Sequence, residues 1–169
     1  MRKFVFVLVI FIIYGCGYKP SSYYAKNSIK GLVYVNLKID IKNTNNSVFI
    51  KDAMNDMIIH KFHSSLTSDK DKADSLVFVE LSKVSHSTLV SDDEGYAKNY
   101  RTTVTIKVTY NLKNKPSTTL TLSNYYDYSV ENSSVLTDEK KQEAVKIAAS
   151  KALQDMFSKI AIKSLGGKS

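Results

Sequence analysis

Several residue types that build special sites are scarce in this chain of 169 residues, which has one Cys, no Trp, two Pro and six Gly. A single cysteine excludes an intramolecular disulfide and any multi-cysteine zinc or iron–sulfur site. No apolar run approaches the roughly 20 residues that a transmembrane helix needs. Hydrophobic residues make up 43% of the chain and charged residues 24%, proportions that exclude extended disorder and collagen-like or coiled-coil repeats. The length then predicts one globular domain with its own core.

A short basic start followed by an apolar run opens the chain, as in a secretory signal peptide. Arg2 and Lys3 precede eleven apolar residues at 4–14, which are too few for a permanent membrane-spanning helix. We therefore predict a signal peptide over residues 1–15. Two alternatives stay open at this point: an uncleaved anchor helix, and a cleaved soluble protein whose cysteine is incidental.

The residues before the single cysteine resemble the bacterial lipoprotein box, because Ile13 stands three positions before Cys16 and Gly15 stands directly before it. This resemblance implies lipidation of Cys16, with fatty chains such as palmitate that anchor the protein in a membrane. Gly17, rather than Asp, implies sorting to the outer membrane, on its periplasmic side. Residues 16–30 are then predicted to form a lipidated tether, residues 31–165 the folded domain and residues 166–169 a tail.

Alternation of apolar and polar residues predicts the strands. Apolar residues at every second position over 33–41 predict a half-buried first strand. A second strand is predicted over 75–90, buried at its start and exposed at its end, with a β-bulge between Leu81 and Val84, where the alternation changes parity. Two long strands follow at 100–112 and 120–130, and their polar sides carry Thr, Ser, Lys and Arg.

Two amphipathic helices complete the pattern. Apolar residues spaced by threes and fours from Phe49 to Leu66 predict a helix that ends near 67–69. A capping residue with acidic neighbours at 137–139 begins a last helix that stops at 166–167. The order β-α-β-β-β-α predicts an α+β domain, with a four-stranded mixed or antiparallel sheet and both helices packed on one face. The other face, rich in Thr, Lys and Tyr, is then left open.

The sequence has no convincing set of catalytic, metal-binding or cofactor-binding residues. No Ser lies in a nucleophile elbow, and no glycine-rich loop is present to cradle phosphate. His60 and His63 are three residues apart but lack a third ligand, and His86 lies on another element. The acidic run at 92–94 lacks the alternation of an EF-hand. We therefore expect no enzyme activity, no cofactor and no metal site, and the export signal argues against a nucleic-acid partner.

Four short stretches of the sequence, taken together, are similar to those of a known protein family. They are Cys16-Gly17-Tyr18, Tyr100-Arg101-Thr102-Thr103-Val104, Glu143-Ala144 and Lys159-Ile160. With the order of strands and helices, they resemble the LptE family of lipopolysaccharide-assembly lipoproteins. The resemblance implies a non-enzymatic protein that plugs the lumen of the LptD β-barrel, supports its assembly and helps to pass lipopolysaccharide to the outer leaflet.

Basic residues are the candidates for contact with lipopolysaccharide or with the partner. The formal net charge of +8 falls to +6 when cleavage before Cys16 removes Arg2 and Lys3, an excess that is compatible with an anionic partner without requiring one. These candidates are Lys98, Arg101, Lys107, Lys140 and Lys141. The loop at 92–94 is acidic here, whereas it is basic in better-known LptE members, so Lys98 and Arg101 beside it are the expected substitutes. Two other functions stay open: regulation of a periplasmic cell-wall synthase, and an auxiliary role in phospholipid transport. The short tether favours work close to the membrane.

Overall fold

The computed structural model describes residues 26–38, 44–91, 97–130 and 136–166, which contain five strands, two long helices and a short helical stretch at 26–28. In chain order the strands and the two long helices are β1 (Leu32–Lys38), α1 (Thr44–His60), β2 (Ser65–Thr67), β3 (Ser75–Ser91), β4 (Ala97–Leu112), β5 (Thr118–Ser129) and α2 (Asp138–Gly166). The predicted α+β class is confirmed. β2, a strand of three residues, is the one strand added to the predicted order.

The five strands form one mixed sheet in the order β2-β1-β3-β4-β5. β1 pairs in parallel with both β2 and β3, whereas β3, β4 and β5 pair antiparallel. A parallel pair needs a crossover connection, and α1 lies in the connection between β1 and β3. The prediction of four strands is therefore corrected to five, because β2 adds a short strand beside β1.

The first helix ends earlier than its apolar spacing predicts. It was expected to continue to 67–69, but α1 ends at His60. His63 has a left-handed backbone with φ of 56°, a conformation that histidine tolerates better than most residues and that stops a helix. Phe62 is nevertheless buried, because its ring packs edge-on against Phe157 of α2 at 5.2 Å.

The predicted bulge in β3 is confirmed. The pairing between β3 and β4 shifts register between Leu81 and Lys83. Alternate side chains of β3 are buried from Ser75 to Leu81, and the strand is exposed from His86 to its end, as its composition predicted. The bulge moves Val84 back to the side of the sheet that the helices cover, since Val84 pairs with the buried Val104.

The hydrophobic core lies between one face of the sheet and the two helices. The sheet contributes Val33, Val77, Val79, Val104, Ile106, Val108 and Leu122, all fully buried or nearly so. The helices contribute Ile50, Met54, Ile58, Ala148, Ala152, Leu153, Met156 and Ile160. Full burial of one large aliphatic side chain contributes about 1.5–3 kcal/mol, so this layer holds the helices on the sheet.

Several predicted features lie outside the described residues. They are the signal peptide over 1–15, the lipidation site Cys16, the end of the first strand at 39–41, the acidic loop at 92–94 and residues 167–169 of the predicted tail, whose first residue, Gly166, ends α2. The backbone of Lys98 belongs to β4, but its side chain is also outside them. Close to the predicted boundary between tether and domain, Ile29 is fully buried in the core.

Candidate functional site: the open sheet face and the start of α2

One face of the sheet is not covered by either helix, and we call it the open face. Alternation along the strands places apolar side chains toward the helices and polar ones on this face. Its members on β4 and β5 are Arg101, Thr103, Thr105, Lys107, Thr109, Thr119, Thr121, Ser123, Tyr125 and Asp127, all half-buried or exposed. This arrangement was expected from the period of two in the sequence.

Hydroxyl groups pair across the open face in register with the backbone. Thr105 and Ser123 are directly opposite on β4 and β5, and their hydroxyl oxygens are 3.2 Å apart. Thr109 and Thr119 form the same kind of pair at 3.0 Å. Such cross-strand pairs stabilise the sheet modestly and leave the surface able to donate and accept further hydrogen bonds.

A shallow cavity of about 320 Å³ lies on the open face around Phe78. The ring is 36% exposed, and Lys38, Glu80 and Lys107 lie in one row beside it on β1, β3 and β4. Lys38 and Glu80 form an ion pair at 3.0 Å. An exposed aromatic ring with a rim of polar and charged groups is typical of protein contact sites.

Arg101 is committed to partners within the chain. Its guanidinium donates two hydrogen bonds of 2.7 Å to the carboxylate of Asp127, the residue opposite it on β5, and lies 3.9 Å from the ring centre of Tyr125. The hydrogen bond raises the pKa of Arg101 above its usual value and lowers the pKa of Asp127. Arg101 therefore holds an Arg–Tyr–Asp cluster on the open face and is not a free cation.

Lys140 and Lys141 lie in the first turns of α2, which begins with a capping contact. The N–H of Lys140 donates to the Thr137 hydroxyl at 3.4 Å, as the sequence predicted for this helix start. Lys141 forms an ion pair with Asp138 at 2.9 Å. Lys140 makes no ion pair with another described residue, and it lines a groove of about 350 Å³ between α2 and the end of β5. Lys140 is thus available to an anionic ligand.

A cluster of tyrosines and one histidine lies beside this helix start, and sequence reasoning did not find it. The ring of Tyr128 stacks with Tyr100 at 5.8 Å and with Tyr126 at 5.9 Å. Thr102 connects the cluster, because its hydroxyl donates to the Tyr128 hydroxyl at 3.4 Å and lies 2.8 Å from Nδ1 of His86. The pairing of Tyr100 with Tyr128 across β4 and β5 depends on strand register, which the sequence pattern does not specify.

The environment of His86 favours its neutral form. Partial burial of the ring lowers its pKa from 6.5, and the positive charge of Lys141 lowers it further. The other two histidines lie elsewhere: His60 is 3.2 Å from Asp56 on α1, and His63 is in the turn after that helix. Among the residues that the structure describes, no three His, Cys, Asp or Glu side chains are grouped to hold a metal.

The four basic candidates whose side chains the structure describes do not form one cluster. Arg101 and Lys107 lie on the open face, six residues apart on one strand, which is roughly 20 Å. Lys140 and Lys141 lie at the start of α2, on the helix side of the sheet, close to His86. The single list of candidates predicted from the sequence is thus divided by the fold between two separate regions.

The part of the chain that the structure describes contains no helix with the length and apolar character needed to span a membrane.

Comparisons with known proteins concern both sequence and fold. A structure of a lipoprotein from Caulobacter crescentus CB15 superposes with a TM-score of 0.54 at 10% identity, covering 88% of this chain and 98% of that one. The rare lipoprotein B of Shewanella oneidensis gives a TM-score of 0.49 at 14% identity, covering 76% of this chain and 95% of that one. No curated protein is matched by sequence. The family model for LptE, described as lipopolysaccharide-assembly, matches residues 34–160, which is more than half of the chain. The chain therefore belongs to the LptE lipopolysaccharide-assembly family.

Proposed function

We propose that this protein is an outer-membrane lipoprotein, anchored through Cys16 on the periplasmic side, that fits inside an LptD-like β-barrel. There it helps the barrel to assemble and helps lipopolysaccharide to reach the outer leaflet. The observation that carries the proposal is the LptE family match over residues 34–160. The LptE family consists of non-enzymatic lipoproteins, and we propose no catalytic step for this member.

The chemistry of the open face supports this role. A barrel lumen is lined by polar side chains and water, so a plug needs a surface that can exchange hydrogen bonds with both. The hydroxyls of Thr105, Ser123, Thr109 and Thr119 supply such a surface, and Phe78 adds one apolar anchor. We propose that this face meets the barrel wall.

The start of α2 supports direct contact with lipopolysaccharide. The phosphate groups of lipopolysaccharide are anionic, and lysine ammonium groups bind phosphate through charge-assisted hydrogen bonds. Lys140 lines an open groove there and makes no ion pair with another described residue, whereas Arg101 donates two hydrogen bonds to Asp127 and Lys141 forms an ion pair with Asp138. We therefore rank Lys140 first among the candidates, with the neighbouring Lys141 second and Lys107 and Lys98 as secondary contacts.

Purification of the protein with its partners tests the barrel proposal. The chain is tagged after Ser169, extracted from the outer membrane in mild detergent and analysed by mass spectrometry. We expect a large β-barrel protein in equal molar amount. A Cys16→Ala variant should be unprocessed and lose its lipid-dependent membrane attachment. Recovery of a cell-wall synthase or a phospholipid transport complex without a barrel would contradict the proposal and favour the other functions.

A matched pair of double variants tests the lipopolysaccharide contact. Lys140→Ala with Lys141→Ala should weaken lipopolysaccharide binding, and the loss should shrink as salt is added. Lys70→Ala with Lys115→Ala removes the same charge from exposed sites, with Lys115 in the turn before β5 at the far end from the α2 start. Equal losses in both double variants would mean that only net charge matters and that α2 has no specific site.

A further inference from the structure

β5 is an edge strand, and no described strand lies on its outer side. Its twelve residues make it far longer than β2, the three-residue strand at the opposite edge. A long exposed edge presents a row of backbone N–H and C=O groups that can pair with another polypeptide. Folded proteins usually protect such rows of backbone groups, so a stretch of the edge that is left unprotected indicates where another polypeptide can pair.

The first half of this edge is covered by α2. The ammonium group of Lys163 donates to the carbonyl of Thr119 at 3.4 Å, and that of Lys159 donates to the carbonyl of Thr121 at 3.3 Å. Backbone groups of alternate residues point to the same side of a strand. The outward-facing residues of β5 are therefore those at odd positions, and lysines occupy the first two of them.

The second half of the edge is open. By the same alternation, the N–H and C=O groups of Asp127 and Ser129 point outward, and no described residue bonds them. At Tyr125 the outward N–H donates to the side-chain oxygen of Asn124 at 2.8 Å, which leaves its carbonyl open. Among the residues that the structure describes, the stretch from Ser123 to Ser129 thus presents outward backbone groups without a partner, at the spacing of a β-ladder.

A groove runs beside this open stretch. It has a volume of about 350 Å³ and lies between the end of β5 and the first turns of α2, with Lys140 and Glu143 on its helix side. An added strand would lie about 4.8 Å from β5, in the space that this groove occupies. In the first half of the edge, the ammonium groups of Lys159 and Lys163 lie where the backbone of an added strand would otherwise bind.

We propose that the open stretch, Ser123–Ser129, receives an extended strand from a partner protein, by addition to the edge of the sheet. Only a polypeptide backbone offers N–H and C=O groups that alternate at the spacing of these outward groups. A second copy of this chain is the weaker occupant, since each copy keeps a net positive charge, +8 for the full sequence less the two charges of Arg2 and Lys3 on cleavage, and the two copies would repel. This inference goes beyond the proposed plug role, which concerns the open face.

Proline at an outward position tests the proposal without disturbing the pairing with β4. The outward N–H of Ser129 makes no bond to β4, so among backbone groups Ser129→Pro removes only the one that an added strand would use, and it also removes the side-chain hydroxyl. Ser129→Ala loses the same side-chain bond to Asn99 but keeps the N–H, and is the matched control. Thr121→Pro makes the same change in the half of the edge that the lysines cover. A benzoylphenylalanine at position 129 of the full chain, in the cells that produce it, identifies what lies there.

We expect crosslinks from position 129 to one stretch of one partner protein. Recovery of that partner should fall about tenfold for Ser129→Pro and stay unchanged for Ser129→Ala and Thr121→Pro. Crosslinks to a second copy of this chain, or to no single protein, would overturn the proposal. So would equal recovery with Ser129→Pro and Ser129→Ala. If a large barrel is still recovered in that case, the plug role stands and only the edge inference fails.

Discussion

A substitution at Gly31 tests how the start of β1 is joined to the rest of the sheet. Gly31 has a left-handed backbone with φ of +73°, and its carbonyl accepts the N–H of Ser65 in β2. A Cβ atom at this position would lie only 2.3 Å from Oδ2 of Asp74. That same oxygen accepts the N–H of Leu32 at 2.9 Å, so Gly31→Ala forces the carboxylate away from the bond it makes.

The expected cost of Gly31→Ala has three parts. A left-handed backbone costs an L-residue about 1–2 kcal/mol. The lost hydrogen bond from Leu32 to Asp74 costs about 1 kcal/mol, since it lies at the surface. Replacing glycine also reduces the entropy of the unfolded chain, which offsets about 0.4–1 kcal/mol. We therefore expect the free energy of unfolding to fall by about 2 kcal/mol, a large share of the roughly 5–15 kcal/mol typical of a domain.

Urea unfolding followed by circular dichroism measures this cost on the chain from Gly17 onward, made without lipid. Repeating the substitution in an Asp74→Ala background removes the carboxylate contact and the hydrogen bond, leaving only the contact with Cβ of residue 74 at 3.0 Å, so Gly31→Ala should then cost about 1 kcal/mol less. An equal cost in both backgrounds would show that the Asp74 contact is irrelevant. A cost below about 0.5 kcal/mol in the wild-type background would refute the reasoning altogether.

Three further predictions concern other regions. The pKa of His86 is lowered in the folded state, so the unfolded chain binds a proton first as the pH falls through 6.5, and the free energy of unfolding should decrease below that pH. His86→Gln should reduce this pH dependence in urea unfolding measured from pH 5 to 8, and an unchanged dependence would contradict the prediction. Phe78→Ser should lower recovery of the barrel partner and lower the unfolding free energy by less than replacement of a fully buried Phe would, because Phe78 is 36% exposed. Full recovery of the partner would exclude Phe78 as an anchor. Lys159→Met with Lys163→Met uncovers the first half of the β5 edge, so sedimentation should detect concentration-dependent self-association; a strictly monomeric variant would mean that these lysines do not protect the edge.

The strands were the most predictable part of the fold. Alternation in 100–112 and 120–130 separated the buried side chains from the open face correctly, because side chains of a half-buried strand must alternate. The bulge after Leu81 was also found, since an extra residue changes the parity that the sequence displays. In these segments the alternation of apolar and polar residues directly reflects which side chains are buried, so the local sequence is sufficient to predict the strands.

The end of α1 was not predictable in the same way. Phe62 and Leu66 continue the helical spacing, but Phe62 is buried from a turn and Leu66 lies in β2 opposite Val33. The spacing of apolar residues predicts which residues are buried, but it does not predict whether a helix, a turn or a strand buries them. β2 itself is stabilised by pairing with β1, a contact between residues more than thirty positions apart, so three residues of local sequence could not reveal it.

For the basic candidates too, local sequence predicted the position on the strand or helix, whereas contacts between distant residues decided the partners of each side chain. The sequence placed Arg101 on the polar side of its strand, but its engagement by Asp127 and Tyr125 depends on which residues of β5 lie opposite. Likewise, the proximity of Lys141 to His86 and the position of Lys140 beside the end of β5 follow from packing of α2 across the sheet. Register and packing decided which cations are free.

By itself, the sequence determined the class of the domain, the face that each strand side chain occupies, the start of α2 and the family. These properties depend on periodicity and on short capping patterns, which are local. Only the tertiary structure decided the parallel pairing of β1 with β2 and β3, the tyrosine cluster, the capture of Arg101 and the half-covered edge of β5. Each of these depends on contacts between residues far apart in the chain, whose partners are chosen by the packing of the whole domain.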